Sequence, residues 1–106
     1  MSKTRHSAYV HRLVDELRPG AIAQVEALKT GDINAAKELE VFPGEISGFS
    51  DALLTLAKEL GETVFGTFND TPLIANPDAT SGETLRDYWQ YRALIQNPPT
   101  IRNMEI

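Results

Sequence analysis

A chain of 106 residues with 42% hydrophobic and 24% charged residues has an ordinary globular composition, and its length fits a single domain spanning 1–106 with one modest core. It has no cysteine, which excludes a disulfide framework and any thiolate metal site. No stretch approaches the ~20 apolar residues of a membrane span, and Lys3, Arg5 and His6 are followed by no apolar run. Neither a membrane association nor a signal peptide is expected, and a cytoplasmic location is the corresponding expectation.

The net charge of −5 is unevenly spread. Residues 32–83 hold ten acids (Asp32, Glu38, Glu40, Glu45, Asp51, Glu59, Glu62, Asp70, Asp78, Glu83) against Lys37 and Lys58 alone. The first 31 residues carry five bases and three acids, and residues 84–106 three bases and two acids. A phosphate backbone is repelled by such a middle segment, so direct nucleic-acid binding is not expected. A basic protein surface is the better-matched partner.

In chain order, Val10, Leu13, Val14 and Leu17 fall at i, i+3, i+4 and i+7 and predict a first helix over 7–17, ended by Arg18-Pro19-Gly20. A second helix is expected over 21–29, burying Ile22, Val25 and Leu28. Thr30-Gly31-Asp32 reads as a turn, with Asp32 capping a third helix over 33–40. Residues 41–49, with Pro43, Gly44 and Gly48, read as a loop. Ser50 then reads as the cap of a fourth helix over 51–60, whose stripe is Leu53, Leu54, Leu56, Ala57 and Leu60, with Gly61 as its stop.

Beyond Gly61 the pattern turns extended. Thr63 to Phe68 is rich in β-branched and aromatic residues, Asn69-Asp70 suits a tight turn, and Leu73-Ile74-Ala75 makes the return strand, with Pro72 at its start or on an edge. Thr80 with Glu83 forms a capping box for a last helix over 81–96, stopped by Asn97-Pro98-Pro99. The predicted fold is α+β: about four N-terminal helices, one antiparallel hairpin and one C-terminal helix.

No residue pattern names a reaction. His6 and His11, five apart on a helix, sit about 140° apart and cannot jointly bind a metal. Ser7 and His11 are one turn apart but lack an orienting acid, and no nucleophile elbow or oxyanion loop is present. Glu38/Glu40 and Glu59/Glu62 pair carboxylates in polar surroundings, which suits a solvated face better than acid–base work. Gly44 and Gly48 lack the Lys-Ser/Thr of a phosphate loop. A DNA-reading helix over 33–40 would carry the wrong charge for a groove. The chain is accordingly expected to be non-catalytic, with no cofactor and no metal.

The last helix carries Leu85, Tyr88, Trp89, Tyr91, Leu94 and Ile95 over an arc of about 220°, wider than the ~100° stripe one packed face needs. Leu85, Trp89 and Ile95 are expected in the core; Tyr88 and Tyr91, with Arg92, are candidates either for the core or for a docking surface. The hairpin's free edge offers a second route to a partner or to a homodimer, unless Ile101, Met104 and Ile106 fill it.

The succession Gly61, Val64, Phe68-Asn69-Asp70, Leu73, then Thr80, Glu83 and Tyr91 resembles the hairpin-plus-helix of small accessory proteins encoded by bacteriophages and prophages, although Asp70 stands where an Asn-Gly turn is commoner. The resemblance covers about a third of the chain and carries over no catalytic residue. It implies a protein that acts by sticking to host machinery, as inhibitors of CRISPR effectors do. The expected function is a protein-binding module, an inhibitor of a host complex, meeting a basic surface through Asp32, Glu38, Glu40, Glu45, Tyr88, Tyr91 and Arg92. The alternative is a phage assembly protein that self-associates through the hairpin edge or the aromatic helix.

Overall fold

The computed structural model describes residues 2–41 and 45–96, with side chains from residue 8 onward. Its elements are α1 (Ser2–Lys29), a 3-10 turn (Ile33–Ala35), β1 (Leu39–Glu40), α2 (Ile46–Leu60), β2 (Val64–Phe68), β3 (Thr71–Ala75) and α3 (Ser81–Gln96). The α+β class is as expected. The count is corrected: among the described residues there are three α-helices, and the hairpin belongs to a three-stranded mixed sheet in the order β1-β2-β3. β1 runs parallel to β2, with Leu39 opposite Gly66, and β2 runs antiparallel to β3.

The first two expected helices are one, passing through Pro19. An interior proline costs a helix about 3 kcal/mol. Here its ring is on the exposed side, and the buried stripe resumes beyond it on the same face. Leu13 and Val14 before the proline, and Ala21, Gln24 and Val25 after it, all point inward. Each Leu- or Val-sized side chain buried there contributes about 1.5–3 kcal/mol, enough together to outweigh the break. Arg18 pairs with Glu59 of α2 at 3.1 Å and Lys29 with Glu62, just beyond the end of α2, at 3.5 Å, so α1 is held by an ion pair on either side of the proline. Of the expected second stripe only Val25 is buried; Ile22 and Leu28 are exposed.

The expected helix over 33–40 is replaced by a single 3-10 turn and a two-residue strand. Asp32 does cap, its Oδ1 accepting from the Ala35 N–H at 3.1 Å, but the turn it caps is too short to hold itself as a helix. Leu39 is worth more beside Gly66, where it is buried, than on a solvated helix face. Gly66 makes this possible, because a Cβ there would stand 2.5 Å from the Leu39 carbonyl oxygen.

α2 begins at Ile46, so residues 46–49 of the expected loop are helical and Ser50 is not the cap, while Pro43 and Gly44 lie outside the described residues. The apolar period starts at Ile46 and Phe49 and continues through Leu53, Leu56 and Leu60. Gly48 lets the Tyr9 ring lie against the helix: a Cβ there would sit 2.3 Å from Tyr9 Cε2. The Tyr9 hydroxyl accepts the Glu45 N–H at 3.1 Å, while the Glu45 side chain makes no capping bond. Ser50 lies buried inside the helix, with no hydrogen-bond partner for its hydroxyl among the described residues. Gly61, at φ 66°, ends α2 as expected, its N–H reaching the Ala57 carbonyl.

The β2–β3 turn places Asn69 at φ 51° and Asp70 at φ 58°, the left-handed pair that matches strand twist in a two-residue hairpin. Phe68 and Thr71 then close the ladder, which makes Thr67 and Pro72 a non-hydrogen-bonded pair. Pro72 therefore directs its missing donor away from β2, as an edge strand allows.

α3 opens on the expected capping box: the Thr80 N–H donates to Glu83 Oε1 at 2.9 Å, and the Glu83 N–H donates to Thr80 Oγ1 at 3.1 Å. Its core residues are Thr84 and Tyr88. The Tyr88 hydroxyl donates to the Phe68 carbonyl at 3.1 Å, and its ring extends an aromatic chain from Phe49 through Phe68. Trp89 and Ile95, expected in the core, are 51% and 53% exposed, and Leu85 is half-buried. Trp89 follows the buried Tyr88 by one residue, about 100° round the helix, and so faces away from the sheet. For Ile95, which shares the face of Tyr88, the reason is length: 16 helical residues rise about 24 Å. The 5 residues of β3 span only about 17 Å. Arg92 already reaches the hairpin turn, at the Asn69 carbonyl, so the last turn of α3 runs past the sheet.

Candidate functional site

Burial alternates along both long strands. Val64, Gly66 and Phe68 of β2 and Thr71, Leu73 and Ala75 of β3 point into the core, where α2 and α3 pack. The intervening residues, Phe65 and Thr67 of β2 and Pro72 and Ile74 of β3, face the other way and are only partly covered. Phe65 and Ile74 are direct partners at a non-hydrogen-bonded position, where opposed side chains come closest, and Ile74 is 43% exposed.

β1 adds charge to this apolar centre. Glu40 is the register partner of Thr67, so the two share the outer face, and Glu40 is exposed. Glu38 accepts a hydrogen bond from the Thr67 hydroxyl. The result is a sheet face whose centre is Phe65, Pro72 and Ile74 and whose β1 side carries two carboxylates. An arrangement of this kind can bury an apolar contact while meeting cations at its border.

Glu38 and Glu40 are thus brought together. Asp32 and Glu45 are not part of the same face: Asp32 caps the 3-10 turn and Glu45 precedes α2 beside Tyr9. Tyr88 is corrected as a docking residue, since it is 1% exposed and belongs to the core. Tyr91 is exposed on α3, as are Trp89 and, beyond Arg92, Leu94 and Ile95. Arg92 is half-buried and engaged with the hairpin turn. The sheet-face residues Phe65, Thr67, Pro72 and Ile74 were missed by sequence reasoning. Their signal was the period-two alternation itself, which left them on one side of the hairpin.

His11 is exposed, and the side chains of His6 and Ser7 lie outside the described residues, as do Pro98, Pro99, Ile101, Met104 and Ile106. Among the described residues no group of three or more His, Asp or Glu is placed to hold a metal ion, and no helix is long and apolar enough to cross a membrane. Glu59 and Glu62, considered as a carboxylate pair, are each taken up by a cation on α1. The Glu83 carboxyl is held below its ordinary value, first by the Thr80 backbone N–H and then by the Thr80 side chain, with Arg86 adding to the effect.

No protein-family model matches the chain, and no curated protein or solved structure matches it either.

Proposed function

We propose that the chain is a protein-binding module whose outer sheet face, centred on Phe65 and Ile74 and bordered by Glu38 and Glu40, docks on a basic surface of a partner protein. The observation that carries this reading is the pairing of a partly covered aromatic–aliphatic register pair with two carboxylates on one side of a sheet. Exposed single apolar residues are ordinary, but an apolar group with a charged border is how interfaces are commonly built. Likeness to phage accessory proteins makes a bacterial host complex the first place to look, with the chain acting there as an inhibitor. Capture from a bacterial lysate, with the tagged wild-type chain and with a Glu38→Gln/Glu40→Gln/Ile74→Lys variant, tests it. A protein retained by the wild type and lost by the correctly folded variant supports the reading; equal retention by both sinks it.

The second reading, an assembly protein that self-associates, draws on Trp89, Tyr91, Leu94 and Ile95, exposed along the second half of α3. The outer edge of β3, unpaired among the described residues, is the weaker route, because Pro72 offers no outward donor for an added strand. Light scattering over a range of concentrations distinguishes this reading from the first, since a strict monomer removes it.

A further inference from the structure

A cavity of about 410 Å³ lies between α1 and the end of β1. Its walls include Tyr9, Arg12, Glu16 and Leu17 from α1, and Glu40 and Val41 from the strand side. Three properties combine there. Leu17 and Val41 supply an apolar lining. Glu16 and Glu40 approach from the two opposite elements, and neither carboxylate has an ion pair or hydrogen bond with another described residue. The Tyr9 ring is a guanidinium platform already in use, since the Arg12 guanidinium carbon stands 5.2 Å from its centroid. That stacking turns the cavity's own cation onto the aromatic ring.

We propose that this groove takes an arginine side chain of the partner, its aliphatic stem against Leu17 and Val41 and its guanidinium on Glu16 and Glu40. An arginine fits better than a lysine because its fork of donors can serve carboxylates presented from two walls, and its weakly hydrated plane tolerates an apolar surround. Two carboxylates against one arginine leave the groove net negative, the complement of such a guest. The inference deepens the reading of a basic partner surface and rests on it, with Glu40 common to the groove and the sheet face.

The test uses no partner, so its failure and that of the capture experiment are separable. The isotopically labelled full chain is titrated with N-acetylarginine amide, its lysine counterpart and its uncharged citrulline counterpart, while backbone amide shifts are followed. Saturable shifts centred on residues 9–17 and 39–41 are expected for arginine, with citrulline weaker by at least about fivefold. Glu16→Gln and Glu40→Gln, both exposed substitutions, should each weaken arginine binding by about threefold or more. Arg12→Gln, which removes the competing cation, should strengthen it by about twofold. No shifts, shifts centred elsewhere, or equal binding of citrulline overturns the site. Lysine bound as tightly as arginine overturns its assignment to a guanidinium.

Discussion

The carboxamide of Gln24 binds both main-chain polar groups of Phe65: its Nε2 donates to the Phe65 carbonyl at 2.9 Å, and its Oε1 accepts the Phe65 N–H at 2.9 Å. The same Nε2 donates to the Lys37 carbonyl at 2.8 Å. A helix side chain thereby acts as a strand residue, extending the β1–β2 ladder one position before Leu39 meets Gly66. Gln24 is itself 1% exposed, so water does not replace these bonds if they are lost.

Gln24→Met, which keeps length and volume but strands those main-chain groups, is expected to cost about 2–4 kcal/mol. Gln24→Glu should cost at least as much, because a carboxylate cannot donate to either carbonyl and is buried with its charge. Urea denaturation at neutral pH measures both. A midpoint unchanged from wild type would mean that Gln24 does not hold the edge of β2.

Gly48 and Tyr9 are coupled by contact. Gly48→Ala should destabilise by about 1–3 kcal/mol, since the Tyr9 ring must leave and its hydroxyl must release the Glu45 N–H. In a Tyr9→Leu background the same substitution should be milder by more than about 0.5 kcal/mol. Strict additivity of the two changes would place the ring elsewhere.

Tyr88 and Trp89 are neighbours in sequence with opposite roles. Tyr88→Phe removes a buried hydrogen bond to Phe68 and should cost about 1 kcal/mol. Trp89→Ala deletes far more atoms, yet from an exposed position should cost less than about 1 kcal/mol. Trp89 is the chain's one tryptophan, so its fluorescence reports on that site alone. Ready quenching by iodide, independent of protein concentration, is expected of a monomer; protection that grows with concentration would favour self-association through α3.

The capping box should give α3 a dependence on acid. Glu83 has its folded-state value depressed, so its contribution is intact above the ordinary carboxyl value of 4.5 and is lost as pH falls through the lower folded-state value. Wild-type stability should therefore fall more steeply than that of Glu83→Gln as pH drops below 4.5. Parallel declines in thermal unfolding would show that the Glu83 charge adds nothing to the start of α3.

Local chemistry was the legible part of this fold. The capping box, the Gly61 stop and the Asn69-Asp70 turn each arise from what a few adjacent residues can do with their own backbone, and each stands as expected. Tertiary context decided the rest. Pro19 reads as a break until the stripe on either side is seen to pack on one neighbour, and a two-residue strand such as β1 has no period of its own. Gly48 reads as a loop glycine until Tyr9 is laid against it. The wide apolar arc of α3 could not say which part meets the sheet, because that depends on how the helix is rolled against β3 and, for Leu94 and Ile95, on where the sheet ends. Of the candidate site, Glu38 and Glu40 were visible as charge, but the partnership of Phe65 with Ile74 required the strand register.

The most direct measurement is the association rate of the chain with a captured partner at about 0.1 M and about 1 M salt, where the Debye length falls from about 10 Å to about 3 Å. The expected result is a rate that drops steeply with salt for the wild type, and a slower, flatter rate for Glu38→Gln/Glu40→Gln. A rate indifferent to salt and to both substitutions would contradict docking through the carboxylate-bordered sheet face.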